Sequence, residues 1–471
     1  VLTRGKVAEL KKNSQYKDFS KAKINKIITF AECADECRQY ISKAMPKQLR
    51  YIKDPRKQKE ETIKYLFQYV DKVCPNVKGY ANLRDLKEHL VNEITEYGIL
   101  TELIEDPDVD EIQVNSIDQI FYEKHGRRIH YKKKFENEEQ FERIIRKFLS
   151  NAKDRLTPVT PFVNARTTER YRVNAIDPEI SGKGHYGLVL RKFKQVKLSS
   201  EDLIKMGAMS KGMYELLALI PRAGLSWITA GETGSGKTTT NELFARMIPE
   251  DERIITIENP PEYHLDKIEN GWVKNNVLSL EATSKSNATD KDPTMENLIV
   301  NAMRQSPDWI APGELRSAEE FRVALIAAQT GHKFFTTMHA SSGEDVIDRY
   351  LTAYCSVSRE PAELALRNIC KAINFIVSQK RLKDGTRKII GIYEVVGSKG
   401  LKPVLTTIYR YVVDDVVENS DGTIKFIGRH KRVGKISKEL QERLLEEGVG
   451  RKHFERFVKE IDANEVEDYF E

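Results

Sequence analysis

The chain has 471 residues, 40% of them hydrophobic and 31% charged. That is too apolar for a disordered polymer, more charged than an average globular protein, and long enough for about three domains. The 77 basic and 71 acidic side chains leave a net charge of only +6, which does not point to a protein built around one concentrated basic face for nucleic acid. No apolar run approaches the roughly 18 residues of a membrane span, and the first residues do not read as a leader, so the expectation is a soluble, intracellular, multidomain protein.

Residues 1–95 read as a helical bundle. Ile27, Ile28, Phe30 and Ala31, and later Ile63, Leu66, Phe67 and Val70, recur at helical spacing, while Pro46, Pro55 and Pro75 divide the stretch into three or four helices. Basic residues crowd the first sixty positions, from Arg4 and Lys6 to Lys57 and Lys59, and the last dozen residues are acidic. Two readings stand: a solvated face with a frayed tail, or a docking surface for an anionic membrane or an acidic partner. Five cysteines at 33, 37, 74, 355 and 370 are an odd, sparse set, as expected of reduced thiols. Cys33 and Cys37 lie one helical turn apart without a second pair or a histidine cluster, so they read as buried thiols rather than half a metal site.

From about residue 96 the period shortens. Asp110–Asn115 and Gln119–Glu123 alternate like half-buried strands, a helix is expected over Glu138–Leu149, and strands return at Val159–Ala165, Tyr171–Ile176 and Gly187–Phe193. Pro161 makes the first of these an edge strand at best. Residues 96–193 are therefore an α+β domain. A polar linker over 194–200 leads into residues 201–395, where short apolar strands alternate with helices as in a parallel sheet with crossover helices. Residues 396–471 are expected to be a small C-terminal subdomain with an acidic tail. Hairpins are marked by Asp384-Gly385 and Asp421-Gly422, and a last helix runs from an N-cap at Ser437 to Gly448.

One segment carries chemistry on its own. Gly231-Glu-Thr-Gly-Ser-Gly236-Lys237-Thr238 matches the phosphate-binding P-loop at every position, between a strand-like Ser226–Ala230 and a helix-like Thr239–Met247. Glycines let backbone N–H groups converge on phosphate oxygens, and the following helix N-terminus favours negative charge. Lys237 neutralises the β- and γ-phosphates, and the Thr238 hydroxyl is a Mg²⁺ ligand. Gly231, Thr233, Gly234, Ser235, Gly236, Lys237, Thr238 and Thr239 are therefore expected to bind a nucleoside triphosphate. The motif by itself does not separate a kinase, a switch GTPase, a helicase and a secretion motor. Downstream, Glu258 ends the strand Arg253–Ile257, and Glu314 follows the apolar run Asp308–Gly313. Acids at the carboxyl ends of parallel strands are placed to face a nucleotide. His332 and His339 then bracket an apolar strand.

Together and in this order these segments resemble the type II/type IV secretion and pilus-assembly ATPases. Gly231–Thr238 is similar to that family's Walker A loop, Ile254–Glu262 to its Asp box, Ile310–Arg316 to its Walker B segment and Gly331–His339 to its His box. Leu103–Asn115, Tyr122–Gly126, Arg166–Ala175 and Leu190–Phe193 resemble its N-terminal domain. The resemblance covers about residues 96–445. The helical extension and the lack of paired CxxC motifs separate the chain from the type II secretion branch. Arg381–Arg387 and the later Asp-Gly hairpin are similar to the tight-adherence (Tad/CpaF-type) pilus motors, with the VirB-type conjugation and type IV secretion motors as the alternative.

The resemblance implies an α/β fold with a PAS-like N-terminal domain and a RecA-like core, assembled as a homohexamer. It implies ATP hydrolysis with Mg²⁺, held by Thr238 and Glu314. The coupled work it implies is assembly of a pilus, with retraction as the alternative direction, or secretion through inner-membrane platform proteins. The place of action is the cytoplasmic side, peripheral to the membrane, with no stable nucleic-acid partner. Glu258 positions the attacking water, Glu314 shares that role, His332 and His339 read the γ-phosphate, and Arg166, Arg172 and Arg191 are candidates for an activating arginine. Asn259 stands where the family commonly has an acid. Pro312 removes a backbone donor before Gly313, and Ser306 and Trp309 stand where arginines are common. A DNA-dependent RecA-like motor and a nucleotide-gated, non-hydrolysing scaffold are the readings from other classes.

Overall fold

The computed structural model describes residues 27–44, 55–124, 126–150, 155–167, 171–192, 198–269, 272–283, 292–420 and 422–461. The chain forms two compact units, Val1–Lys194 and Gln195–Glu471. The basic residues before position 27 and the acidic residues after 461 lie outside the described residues.

The first unit opens with helices α1 (Phe30–Ala44), α2 (Pro55–Val73) and α3 (Leu83–Thr95). Pro55 takes the first position of α2, where a missing N–H costs nothing. Asn82 caps α3 by accepting the Asp85 N–H at 2.9 Å. Their apolar stripes, including Cys33, Cys37, Ile63, Leu66, Val70, Leu86 and Leu90, close into one core, so both cysteines are buried free thiols.

A six-stranded antiparallel sheet follows, in the order β3-β2-β1-β6-β5-β4. Its strands are β1 (Val109–Ser116), β2 (Gln119–Lys124), β3 (Arg127–His130), β4 (Phe162–Arg166), β5 (Tyr171–Ile176) and β6 (Gly187–Lys192). Helix α4 (Glu138–Phe148) adds Phe141, Ile144, Ile145 and Phe148 to the core on one face. The strand expected from Val159 begins at Phe162, after Pro161, and takes the sheet edge that a proline demands. The helices and the sheet are tied across residue 95. Buried Glu93 of α3 accepts from Arg38 at 2.7 Å and from Gln140 of α4 at 2.9 Å.

The second unit is built on a nine-stranded sheet in the order β11-β8-β12-β13-β7-β14-β15-β16-β17. Six strands are parallel neighbours: β7 (Trp227–Gly231), β8 (Ile254–Glu258), β11 (Val277–Glu281), β12 (Trp309–Pro312), β13 (Lys333–Met338) and β14 (Phe375–Arg381). Every residue of β7, β8 and β12 is buried, as expected of interior strands covered on both faces. Trp227, Phe244, Trp309 and Phe335 pack on one face; Ile228, Leu325, Phe334, Tyr350 and Ile369 pack on the other. Pro312 sits in a central strand, but at its last residue, and Gly313 N–H resumes the ladder to Ile257 O at 2.8 Å. A small hairpin of β9 (Ile268–Glu269) and β10 (Trp272–Val273) lies between β8 and β11.

The C-terminal residues do not form a sheet of their own. Strands β15 (Arg387–Lys399), β16 (Lys402–Glu418) and β17 (Ile424–Arg432) extend the core sheet antiparallel from β14, and the expected boundary at 395/396 falls inside β15. The β14–β15 hairpin turns at the expected Asp384-Gly385, with Gly385 at φ +85°; of the other expected turn, Asp421 lies outside the described residues. Ser437 caps the helix α5 (Lys438–Glu446), accepting Leu440 N–H at 3.0 Å, and Gly448 closes it at φ +80°.

Candidate nucleotide site

Five neighbouring strands, β8, β12, β13, β7 and β14, deliver their carboxyl ends to one edge of the sheet. The loop after β7 runs from Gly231 to the N-terminus of the helix Lys237–Ala245. Gly234 and Gly236 take φ of +76° and +98°, which side chains resist. A Cβ at Gly231 would lie 2.1 Å from Gln379 O of β14, so a glycine is required for the loop to leave the sheet there. Lys237 is buried and turns its Nζ to the carbonyls of Gly231 and Glu232, at 2.8 and 2.9 Å. Ser235 is buried, Thr233 is exposed, and Thr238 and Thr239 are half-buried in the first helical turn.

Glu258 ends β8 at 3% exposure and accepts the backbone N–H groups of Glu262 at 2.9 Å and Tyr263 at 3.1 Å. Burial pushes its pKa up to about 8, against the lowering effect of those two bonds. Gly313 has to be small here, since a Cβ would sit 3.0 Å from Glu258 Cγ. Behind Glu258 runs a buried polar chain. Asn241, on the helix after the loop, accepts from Trp227 Nε1 at 2.9 Å and from the Thr229 hydroxyl, and it donates to Tyr263 OH at 3.2 Å. The carboxylate and the phosphate loop are thus held by one network.

Glu314 follows β12 and bridges to Thr337 of β13. One carboxylate oxygen lies 2.9 Å from His339 Nε2, and the other accepts from Arg316 at 2.6 and 2.9 Å. His339 therefore joins the acid at the strand ends. His332 does not: it precedes β13, with Nδ1 3.1 Å from both Ala327 O and Thr330 Oγ1. A six-residue strand separates the two histidines by about 20 Å, so His339 stands with Glu314 at the carboxyl end of β13 and His332 at its other end.

Arg166, Arg172 and Arg191 belong to the first unit. Arg172 of β5 is the direct cross-strand partner of Arg166 on β4 and of Arg191 on β6, and Arg191 is opposite Glu111 of β1. Directly opposed residues share a sheet face. Arg172 and Arg191 thus form a row on the face opposite Val173, Ala175, Leu188 and Leu190 of the core, with Arg166 at the register position across from Arg172.

Magnesium is compatible with this donor set. The described residues hold no group of three or more His, Cys, Asp or Glu suited to a metal. A Mg²⁺ that arrives with phosphates takes only one or two protein oxygens, a number that the Thr238 hydroxyl and the Glu314 carboxylate would be enough to meet. Sequence reasoning missed Arg316, two residues beyond Glu314, although it lay inside the recognised segment. It also missed Gln379 and Arg387, which no local pattern connects to the loop.

Residues 93–390 match the model of the family described as type II/IV secretion system protein. The chain is 30% identical over 270 residues to an uncharacterized protein of Methanocaldococcus jannaschii, covering 55% of this chain and 95% of that one. It is 30% identical over 239 residues to the type IV pilus retraction ATPase PilT of Pseudomonas aeruginosa, covering 50% of this chain and 62% of that protein. The solved structure of the ATPase DotB of Legionella pneumophila aligns with 75% of this chain and 85% of its own, at 22% identity and a TM-score of 0.47.

Proposed function

The chain belongs to the type II/IV secretion system protein family and is a P-loop ATP hydrolase, and from that premise we propose that it is the hexameric motor of a pilus of the Tad/CpaF type or of a related secretion apparatus. The observation that supports this most is the joining of the P-loop, Glu258, Glu314 and His339 at the carboxyl ends of adjacent parallel strands. A motor of this kind works at the cytoplasmic face of the inner membrane, on platform proteins. Among the described residues, no helix is long and apolar enough to cross a membrane.

In this proposal the loop N–H groups and Lys237 hold the β- and γ-phosphates of ATP. Thr238 and Glu314 hold Mg²⁺, which neutralises charge on the phosphate oxygens when bound. Glu258, once ionised, orients the attacking water; its two backbone donors fix the carboxylate before substrate arrives. His339, paired with Glu314, is placed to respond when the γ-phosphate leaves. Arg166, Arg172 and Arg191 are the candidates for an activating arginine in the assembled ring, an effect worth roughly 10³–10⁵ in rate elsewhere.

The test is steady-state ATP hydrolysis per chain as protein concentration rises, with Glu314→Gln and Lys237→Ala as controls. A specific activity that climbs, saturates and is lost in both controls supports sites completed by neighbours in a ring. Turnover that survives in Lys237→Ala removes the P-loop mechanism. Stimulation by single-stranded DNA moves the reading to a nucleic-acid motor.

A further inference from the structure

The turn joining β14 to β15 stands against the phosphate loop, and its contacts are specific. Strand β14 pairs with β7 up to Gln379 opposite Gly231, and the Gln379 side chain accepts the Thr240 hydroxyl at 2.9 Å. The chain then reverses through Gly385, at φ +85°. Arg387 returns to donate its Nε to the carbonyl of Gly234 at 2.8 Å. The Arg381 guanidinium stands by the same residue, 3.5 Å from where a Gly234 Cβ would be. Within the turn, Asp384 has two sets of partners. Oδ1 accepts the N–H and hydroxyl of Thr386 at 2.9 and 2.7 Å, and Oδ2 accepts the N–H of Phe426 in β17 at 3.1 Å.

We propose that Arg387 is a positioning residue of the nucleotide site, and that Asp384 links its placement to the β16–β17 hairpin. In a trans peptide the carbonyl and the following N–H point in opposite directions. A guanidinium holding the Gly234 carbonyl on one side therefore turns the Ser235 N–H to the other. That other side is the loop interior, where Ser235 N–H makes a 3.3 Å bond to Glu232 O and Lys237 Nζ meets the Gly231 and Glu232 carbonyls. A glycine peptide has little intrinsic preference, so its orientation is held by the charged bond outside the loop, at 2.8 Å, together with the longer Ser235–Glu232 bond inside it. Asp384 in turn fixes the hairpin that carries Arg387, because its second oxygen is anchored on β17. The inference rests on the reading above that nucleotide phosphates occupy this loop.

The experiment measures Kd for ATP by displacement of a fluorescent ATP analogue, kcat and KM for hydrolysis, and melting temperature with and without ATP, on the full chain. Loss of one charge-assisted bond that orients a phosphate donor is expected to weaken ATP binding about tenfold in Arg387→Ala, with kcat changed by no more than about twofold. Arg387→Lys recovers part of the affinity, since the charge remains while the fork geometry is lost. Asp384→Ala weakens binding less, and the double variant is no worse than Arg387→Ala alone, because Asp384 acts through Arg387. The ATP-free melting temperature of Arg387→Lys stays at the wild-type value while its ATP-induced rise shrinks. Wild-type affinity in Arg387→Ala, or additive losses in the double variant, overturns the proposal. Should Arg387→Ala fail to fold, Arg387→Lys and Asp384→Ala carry the same comparison: wild-type affinity in both overturns it. Wild-type protein that binds no ATP, or Lys237→Ala that binds it normally, defeats the nucleotide reading itself and the inference with it.

Discussion

Glu258 is a carboxyl group that its surroundings keep protonated near neutrality. It is buried at a strand end, and two backbone N–H groups only partly offset the desolvation that pushes its pKa to about 8. If the ionised form orients water, kcat for ATP hydrolysis rises as pH climbs toward and past about 8, and Glu258→Gln removes both the activity and that rise. A profile that is flat across this range, with Glu258 intact, would count against the role. Stability carries the opposite sign. A folded-state pKa above the unfolded value means the native state binds the extra proton. The stabilisation is therefore full below the unfolded carboxyl pKa and is lost as pH rises through about 8. Denaturant titrations should show Glu258→Gln losing less stability than wild type between neutral and alkaline pH.

At the scale of elements, the α5 helix packs Leu440 and Leu444 into the core of the second unit, and its N-terminus is tied to the sheet through Glu394. Glu394 of β15, 4% exposed, accepts the Ser437 hydroxyl at 2.5 Å and the Ser437 N–H at 2.9 Å, while the same hydroxyl caps the helix. Removing the hydroxyl takes away the cap and one partner of a buried carboxylate. Ser437→Ala is therefore expected to lower unfolding free energy by about 2 kcal/mol, measured by urea titration. Glu394→Gln in the same background should recover part of that loss, because a neutral amide costs less to bury with fewer partners. A helix that merely rests on the surface would show neither effect.

For the whole molecule, the division at Lys194/Gln195 separates phosphate binding from the arginine row. The second unit has its own two-faced core and the entire P-loop edge. A protein consisting of residues 195–471 is expected to fold and bind ATP with the affinity of the full chain. Its turnover should fall by about a thousandfold or more if the row provides the activating charge, and Arg172→Ala in the full chain should reproduce much of that fall. Arg172→Ala hydrolysing ATP at the wild-type rate would remove that residue from the proposal.

The P-loop was legible because its information is local. Glycines that must adopt left-handed φ, a lysine and a hydroxyl at fixed offsets, and a strand-to-helix transition all lie within about twenty residues. Glu258 and Glu314 were legible for a related reason, since strand direction alone sends both acids to one edge. The same directionality separates the two histidines, since residues that bracket a strand lie at its opposite ends in space. The arginine row depended on the register of β4, β5 and β6, which core packing sets and spacing along the chain does not. The C-terminal hairpins read as a separate subdomain because hairpin signals say where a chain turns, not which sheet it joins. Arg387 reaches Gly234 across 153 residues, and only the placement of β14 beside β7 brings them together. Local backbone demands wrote the nucleotide-binding loop into the sequence; long-range strand pairing, driven by burial of both sheet faces, decided what surrounds it.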